Sequence, residues 1–191
     1  MNQLLGNPPE YLSKVKKKCQ ELGFEMASDE QAGSLLRTLI ASKPRGKFLE
    51  LGTGIGASLS WILDGMDAES SVISIDHDPT LIDTVGSFFG DDHRLTLIHA
   101  DGGPWIRSNQ DLKFDLIFAD AWPGKFFDLD DTLALINPGG YYVIDDMLPA
   151  SDWPEGHAEK VDHLLNYLGS REDLMVTSMD WSTGIVVCTK K

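Results

Sequence analysis

The sequence has few cysteines and no long apolar run. Its 191 residues contain only two cysteines, Cys19 and Cys188, and their separation fits neither a metal site nor a redox motif. We therefore expect free thiols in a reducing compartment. No apolar run approaches the roughly 20 residues of a membrane span, and residues 1–20 lack the apolar core of a signal peptide. These absences predict a cytoplasmic protein without a membrane partner.

Basic side chains are also scarce relative to acidic ones. The chain carries 16 Lys and Arg against 30 Asp and Glu, which gives a formal net charge of −14. A surface of this charge repels phosphate backbones, so we expect no nucleic-acid partner. With 42% hydrophobic residues the chain can build a sizeable core, and residues 1–191 are predicted to form a single domain.

Glycine is concentrated in residues 48–58, FLELGTGIGAS, where an apolar run ends in Gly52, Gly54 and Gly56. A strand that stops at a glycine-rich turn and opens a helix lets the backbone approach a nucleotide. Dinucleotides and S-adenosylmethionine both use such a turn, and these glycines alone do not separate them. Glu50 favours S-adenosylmethionine, because a carboxylate there repels a pyrophosphate and suits the amino group of a methionine moiety.

Apolar runs typical of strands alternate with helical patterns along most of the chain. After the first strand, strands are predicted at 72–76, 94–99, 114–120, 141–146, 174–179 and 185–189. Alternation predicts an α/β fold with a mostly parallel sheet covered on both faces. Only residues 180–184 separate the last two strands, which requires an antiparallel hairpin. One helix is predicted at 10–22. Another is predicted to follow a capping box that starts at Ser28, and a further helix is predicted at 127–136.

Carboxylates stand at or just beyond the ends of five predicted strands. In open α/β sheets the ligand lies beyond the carboxyl ends of the strands, so we expect these groups to converge. Asp76 follows the glycine turn by about 20 residues, where a carboxylate accepts the ribose hydroxyls. Asp101 either accepts from an adenine amine or caps the helix that follows it.

Asp120, Asp145 and Asp146 end two strands that are expected to be neighbours. Three carboxylates in one place repel one another unless a cation lies between them. Oxygen ligands alone suit Mg²⁺, Ca²⁺ or Mn²⁺ and do not suit zinc. The sequence therefore predicts a divalent metal site at Asp120, Asp145 and Asp146.

Taken together, these motifs resemble the class I S-adenosylmethionine-dependent methyltransferases, and in particular the catechol and caffeoyl-CoA O-methyltransferases. The resemblance extends over approximately residues 26–190. Its matching parts are Ser28-Asp29-Glu30-Gln31, residues 49–58, Ile75-Asp76, Phe118-Ala119-Asp120 and residues 139–146. It implies a three-layer Rossmann-like methyltransferase fold with a seven-stranded sheet. It also implies that residues 1–45 form helices over the cofactor and acceptor sites.

The resemblance implies a role for each matching residue. The glycine turn and its neighbours would bind the cofactor: Glu50 and Ser58 at the methionine end, Gly52, Gly54 and Gly56 in the turn, Asp76 at the ribose, Asp101 and Gly102 at the adenine, and Asp120 near the methyl group. Metal-dependent members bind Mg²⁺ through an Asp after the fourth strand and an Asp-Asn pair after the fifth. Here Asp120, Asp145 and Asp146 correspond, with Asp146 in place of Asn.

One catalytic position departs from the pattern of the family. Catechol-type members carry a Lys about one helical turn past the first Asp, and it helps to deprotonate the acceptor. In this chain Lys125 comes later, behind Pro123-Gly124, and either reaches the site or lies at the surface. The implied activity is methyl transfer to the hydroxyl of a small, catechol or phenolic acceptor, which Trp122, Trp153 and Trp181 would flank. His77, His99 and His157 show no spacing pattern and are assigned no role.

Three questions stay open from the sequence. An NAD(P)-dependent oxidoreductase uses the same type of glycine turn, although Glu50, the closing hairpin and the lack of a Tyr-x-x-x-Lys pair speak against it. A methyltransferase-like scaffold without catalysis is the second alternative, because the spacing of Lys125 is altered. The third question is whether the chain forms a homodimer, because the segments through which relatives shape their acceptor pockets or dimerise are short here.

Overall fold

A seven-stranded sheet runs through the centre of the computed structural model, which describes residues 5–150 and 153–191. The strands are β1 (Lys47–Leu51), β2 (Ser71–Asp76), β3 (Leu95–His99), β4 (Phe114–Ala119), β5 (Ile136–Ile144), β6 (Leu174–Met179) and β7 (Ile185–Lys190). The helices are α1 (Leu12–Leu22), α2 (Glu30–Ala41), α3 (Ala57–Gly65), α4 (Pro79–Phe89), α5 (Gly102–Ser108), α6 (Leu129–Ala134) and α7 (His157–Ser170). None of these helices is long and apolar enough to cross a membrane.

The strand order is β3-β2-β1-β4-β5-β7-β6. Strands β1 to β5 pair in parallel, whereas β7 pairs antiparallel with both β5 and β6. The predicted fold class is therefore confirmed, including the closing antiparallel hairpin. After β3 the chain crosses back to β4 on the other side of β1, so the strand order reverses between β1 and β4. Such a reversal opens a crevice at the carboxyl ends of the strands.

Side chains that alternate along the central strands divide the core into two halves. Phe48, Leu116 and Val143 belong to one buried cluster, whereas their neighbours Leu49, Ile117 and Tyr142 belong to the other. Successive residues of a strand face opposite sides of a sheet, which explains the division. The first cluster also contains apolar residues from α1 to α4, and the second contains residues from α5 to α7. The result is the three-layer arrangement of helices, sheet and helices. Cys19 and Cys188 are free thiols, as predicted.

The predicted helix at 127–136 was wrong at both ends. Helix α6 covers only Leu129–Ala134, and Ile136 already pairs with Phe114 as the first residue of β5. The proline and glycines at 138–140 lie inside β5, where the register shifts between Phe114 and Leu116. A bulge of this kind accommodates proline and glycine within a strand, which periodicity alone does not reveal.

The capping residue of α2 is Asp29, one position later than predicted. Its Oδ1 accepts from the backbone amides of Gln31 at 2.8 Å and Ala32 at 2.9 Å. Aspartate caps helices at least as well as serine, so the two were close competitors. Ser28 makes a different contact: its hydroxyl donates to Asp120 Oδ2 at 3.0 Å, across the sheet edge.

The chain after β4 folds back onto the sheet through a turn at residues 122–125. Tyr142 is fully buried on β5, and its hydroxyl donates to the carbonyl of Gly124 at 2.6 Å. Gly124 has φ +85°, and a Cβ there would lie 2.3 Å from Leu51 Cδ1. A side chain at this position is thus excluded twice, by backbone conformation and by space. The turn places Lys125 inside the protein, where it is only 5% exposed.

Tyr142→Phe should destabilise the protein by about 1–3 kcal/mol, because it leaves a buried carbonyl without its donor. Urea unfolding at neutral pH measures the loss. Tyr141→Phe is the matched control. The Tyr141 side chain is only partly buried, and phenylalanine at this position keeps the ring contact with Lys43. Equal stability of the two variants would show that the Tyr142 hydroxyl does not hold the turn.

Candidate functional site

A cavity of about 470 Å³ opens at the carboxyl ends of β1, β2 and β4. Most of the predicted cofactor residues line it: Gly52, Gly54, Ser58, Asp76, Asp101, Gly102 and Asp120. The segment between α1 and α2 supplies Phe24, Met26 and Ser28 to the same cavity. The crevice created by the strand order and the residues selected from the sequence therefore coincide.

The glycine turn is held tightly between the ends of two neighbouring strands. Gly52, Gly54 and Gly56 have φ values of +98°, +51° and +87°, a region that favours glycine. A Cβ on Gly52 would meet the Asp120 carbonyl oxygen at 2.8 Å. Gly56 does not line the cavity, and a Cβ there would press on Phe89 at 3.1 Å. Gly52 and Gly54 thus shape the cavity, whereas Gly56 allows close packing of α3 against α4.

Glu50 is completely buried and lies behind the lining of the cavity. Its Oε1 accepts from the Ser58 hydroxyl at 2.6 Å, and its Oε2 accepts from the Ser74 hydroxyl at 2.5 Å. Burial raises the pKa of Glu50 to about 8, and the two serine hydroxyls oppose that rise. The charges of Asp120 and Asp76 add to it. Because Ser58 itself lines the cavity, a cation bound there would be only one hydroxyl away from this carboxyl group.

Asp76 and Asp101 lie on the side of the cavity expected for adenosine. Asp76 is 8% exposed, and its Oδ2 accepts from the Gly54 amide at 2.8 Å. Its Oδ1 accepts from the Asp78 amide at 3.0 Å, so the carboxylate is fixed in orientation. Asp101 caps α5 by accepting from the Gly103 amide at 3.0 Å, and it also lines the cavity. The capping alternative is therefore confirmed for Asp101, without excluding a ligand contact.

Asp120 lies at the end of β4, where the cavity meets the segment between α1 and α2. Burial raises the pKa of Asp120 to about 7. The positive charge of Lys125 and the hydrogen bond from Ser28 oppose the rise, whereas Asp146 and Asp145 add to it. An acid with a pKa near the working pH can exchange a proton with a bound hydroxyl.

Lys125 is buried, so the surface alternative for this residue is wrong. Its ammonium group donates to the backbone carbonyl of Asp145 at 2.5 Å. It does not line the cavity, and it reaches the end of β5 from the turn that follows β4. Its charge acts on the pKa values of both Asp120 and Asp145. A positive charge is therefore built into the acidic end of these two strands.

The three predicted metal ligands differ in their burial and in their hydrogen bonds. Asp145 is 3% exposed, and its Oδ1 accepts from the Thr183 hydroxyl at 2.5 Å and from the Asp146 amide at 2.8 Å. Burial raises the pKa of Asp145. Asp146 is exposed with φ +62°, a conformation that Asp and Asn tolerate better than other side chains. Within residues 5–150 and 153–191, no three His, Cys, Asp or Glu side chains form a group that could hold a metal ion.

Several contacts at this site come from residues that sequence reasoning missed. Ser28, Ser74 and Thr183 each donate to one of the buried carboxyl groups. Ser74 carried a weak signal, because a hydroxyl inside an otherwise apolar strand needs a partner. The hydroxyls of Ser28 and Thr183 reach their partners from distant loops, and nothing in the local sequence indicates these contacts.

His157 was assigned no role, yet it lies in an aromatic cluster beside the site. Its ring centroid is 4.7 Å from that of Trp153 and 5.2 Å from that of Phe126. Its Nδ1 is buried without a hydrogen-bond partner among the described residues. Burial lowers the pKa of His157, and the charges of Lys125 and Lys160 lower it further.

The three tryptophans expected near the acceptor differ in position. Trp122 lines the cavity and is 44% exposed. Trp153 packs on His157, and Trp181 packs against the buried cluster below α1 to α4. Of these three tryptophans, Trp122 alone lines the cavity.

Comparison with known families agrees with this geometry. Residues 49–147, just over half of the chain, match the family model described as a methyltransferase domain. The chain belongs to this methyltransferase family. A Mycobacterium leprae (strain Br4923) protein named "Putative O-methyltransferase" is 28% identical over 116 residues, which are 59% of this chain and 51% of the relative. The chain thus spans about half the length of that curated relative.

Solved methyltransferase structures share the fold at low sequence identity. The O-methyltransferase from Bacillus cereus, in complex with S-adenosylhomocysteine, superposes with a TM-score of 0.84 at 15% identity. That match covers 97% of this chain and 92% of the other. TomG from Streptomyces achromogenes, an O-methyltransferase involved in tomaymycin synthesis and solved with S-adenosylmethionine, gives a TM-score of 0.80 at 23% identity. It covers 98% of this chain and 92% of TomG.

The raised pKa of Glu50 predicts that the ligand-free protein loses stability as the pH rises from about 5 to 8. In this range the folded protein holds a proton that the unfolded chain has released, so the free energy of unfolding falls with pH. Asp120 acts in the same direction. Each pKa unit corresponds to about 1.4 kcal/mol, so we expect Glu50 alone to contribute a loss on the order of 3–4 kcal/mol over this range.

Urea unfolding of the wild-type protein and of Glu50→Gln at both ends of this range measures the effect. The variant should show a smaller pH dependence, because glutamine is neutral throughout. His157, with its lowered pKa, acts in the opposite direction but is present in both proteins and cancels in the comparison. Identical pH dependence of the two proteins would contradict the assignment to Glu50.

Proposed function

We propose that this protein transfers a methyl group from S-adenosylmethionine to a hydroxyl group of a small acceptor. The observation that carries the proposal is the cavity at the strand-order reversal, which Asp76, Ser58 and Asp120 line and behind which Glu50 is buried. The O-methyltransferase names of the curated relative and of the two structural neighbours support the same reaction class.

The cavity provides suitable partners for each part of S-adenosylmethionine. Asp76 would accept from the ribose hydroxyls, and Asp101 with Gly102 would border the adenine. Ser58, with Glu50 behind it, would favour the cationic amino group of the methionine moiety. Among the described residues no cation opposes the burial of Glu50, so Glu50 holds its proton near neutral pH, and a bound cation would stabilise the charged form.

The residues around the methyl group have a limited task. S-adenosylmethionine, when bound, supplies a methyl group that its sulfonium has already activated. The protein must therefore align the acceptor oxygen and exclude water. Phe24 and Met26 cover the cavity from the N-terminal segment, and the Ser28 hydroxyl holds Asp120 at the end of β4. We assign to Asp120 the acceptance of the proton that leaves the acceptor hydroxyl, since its pKa of about 7 suits this exchange.

The divalent ion predicted from the sequence does not fit this arrangement of donors. Asp145 Oδ1 already accepts two hydrogen bonds, from Thr183 and from the Asp146 amide. Asp146 is exposed, and the buried ammonium of Lys125 lies at the end of β5, where it donates to the Asp145 carbonyl. The proposed mechanism therefore includes no step through Mg²⁺, Ca²⁺ or Mn²⁺.

The acceptor is proposed at the level of its class. The half-exposed Trp122 ring at the mouth of the cavity supports a planar, catechol or phenolic acceptor, because such rings stack on indole. The net charge of −14 supports a small molecule rather than a nucleic acid. Membership of a methyltransferase family favours this function over the NAD(P)-dependent oxidoreductase. A homodimer and a cytoplasmic location stay predictions.

Methyl transfer from isotope-labelled S-adenosylmethionine to a panel of catechols and other phenols tests the function. We expect label in the acceptor and S-adenosylhomocysteine as the second product. Binding of S-adenosylhomocysteine without transfer to any acceptor would favour the scaffold alternative. Binding of NAD(H) in its place would favour the oxidoreductase.

Asp76→Asn should weaken binding of S-adenosylhomocysteine by about 1.5–3 kcal/mol, the range for hydrogen bonds to a charged group. Isothermal titration calorimetry measures the change. Asp83→Asn is the control, because Asp83 is an exposed aspartate on the neighbouring α4 and does not line the cavity. Similar affinities of the two variants would remove Asp76 from the cofactor site.

A further inference from the structure

A buried lysine at the acidic ends of β4 and β5 is the least expected feature of this site. We propose that the ammonium group of Lys125 is the resident cation at the ends of β4 and β5, and that it makes the reaction independent of a divalent metal. The catalytic part of this inference rests on the proposed function. The cation-binding part does not.

Contacts of the turn at residues 122–125 fix Lys125 in this position. The turn at residues 122–125 is fixed by the Tyr142 hydroxyl on the Gly124 carbonyl and by the contact of Gly124 with Leu51. The ammonium group donates to the backbone carbonyl of Asp145 at 2.5 Å, directly at the end of β5. Lys125 is only 5% exposed, and the residue before it, Gly124, is held by the buried Tyr142 on β5.

The charge of Lys125 meets the electrostatic demand that led us to expect a metal. Asp120, Asp145 and Asp146 bring negative charge to two neighbouring strand ends, and a compensating cation was predicted there. Lys125 acts on both Asp120 and Asp145 as an opposing charge. A divalent ion in the same place would face a fixed positive charge that repels it.

The oxygen atoms at these strand ends also accept hydrogen bonds in a way that suits an ammonium group rather than a divalent ion. Asp145 presents its backbone carbonyl to Lys125 and one carboxylate oxygen to Thr183. Asp120 Oδ2 accepts from Ser28. Mg²⁺ demands a near-ideal octahedron of oxygens, and no such convergent group exists among residues 5–150 and 153–191.

In the proposed reaction Lys125 acts as a positioning residue. The acceptor hydroxyl gives its proton to Asp120, its oxygen forms a bond to the methyl carbon, and the bond from sulfur to that carbon breaks. The sulfonium charge disappears as the thioether product forms, so the step is balanced without a further reactant. The fixed charge of Lys125 lowers the pKa of Asp120, which favours the deprotonated form that accepts the proton, and it offsets the negative charge that develops on the acceptor oxygen.

Two measurements test the inference, and the first does not depend on turnover. Titration of the EDTA-treated protein with Mn²⁺, followed by electron paramagnetic resonance, should show no stoichiometric binding to the wild type. Lys125→Met removes the charge and keeps the size of the side chain. It should bind Mn²⁺, because without the fixed positive charge the carboxylates of Asp120, Asp145 and Asp146 can turn towards a divalent ion, and a second change of Asp120→Asn should abolish that binding. A merely structural lysine would not produce a gain of metal binding.

The second measurement is methyl transfer in excess EDTA. Wild-type turnover should be unchanged by the chelator, and Lys125→Met should be slower by about 100-fold. Lys113→Met is the matched control, because the exposed Lys113 also donates to a backbone carbonyl, that of Ala134 at 2.8 Å. It should behave like the wild type in both measurements. Lys125→Arg keeps a positive charge and should stay free of Mn²⁺ and active in EDTA.

Several outcomes would overturn the inference. Stoichiometric Mn²⁺ binding to the wild type that Asp120→Asn removes would place a metal at this site. Loss of turnover in EDTA with recovery in Mg²⁺ would do the same. A folded Lys125→Met protein that gains no Mn²⁺ binding would show that the lysine does not stand in for a metal. If Lys125→Met does not fold, the wild-type and Lys125→Arg measurements still decide the question. Failure of all methyl transfer would contradict the proposed function alone, because Mn²⁺ binding is measured separately.

Discussion

The crossing of the chain from β3 back to β4 is the constraint on which the rest of the structure depends. It places β4 beside β1, on the side of β1 away from β2 and β3. This arrangement opens a crevice where the strands end. The glycine turn after β1 can approach a ligand only because this crevice exists. Asp76 and Asp120 flank the turn on its two sides, since they end the strands that pair with β1. A different strand order with the same sequence motifs would scatter these groups.

Burial of acid groups is the energetic cost of that arrangement. Glu50 and Asp145 are 0% and 3% exposed, and Asp120 joins them at the edge of the cavity. The protein offsets this cost in three ways: serine hydroxyls around Glu50, a threonine hydroxyl on Asp145, and the Lys125 ammonium beside the ends of β4 and β5. Glu50 accepts from two serine hydroxyls and forms no ion pair among the described residues, and burial raises its pKa to about 8. This unequal compensation distinguishes the Glu50 side of the cavity from the side of Asp120 and Asp145.

The sequence was sufficient to predict the sheet and the group of acids, and insufficient for the contacts between them. Strand periodicity and the short link at 180–184 determined the parallel sheet and its closing hairpin, because both signals are local. The bulge that admits Pro138 into β5 was not predictable, since it depends on pairing with β4. Ser28 meets Asp120 across 92 residues of sequence, and no local pattern records that contact. Lys125 was the most ambiguous case. Its buried position depends on the hydrogen bond from Tyr142 to Gly124, and Tyr142 lies 17 residues further along the chain. In the sequence Tyr142 cannot be distinguished from an ordinary core residue.

The central claim is that the crevice between the ends of β1, β2 and β4 binds S-adenosylmethionine with its methyl group towards Asp120. A crystal structure with S-adenosylhomocysteine tests this claim most directly. We expect the ribose hydroxyls within hydrogen-bond distance of Asp76, the amino group next to Ser58, and the sulfur on the side of Asp120. Density for the ligand outside this crevice, or a ribose that does not contact Asp76, would contradict it.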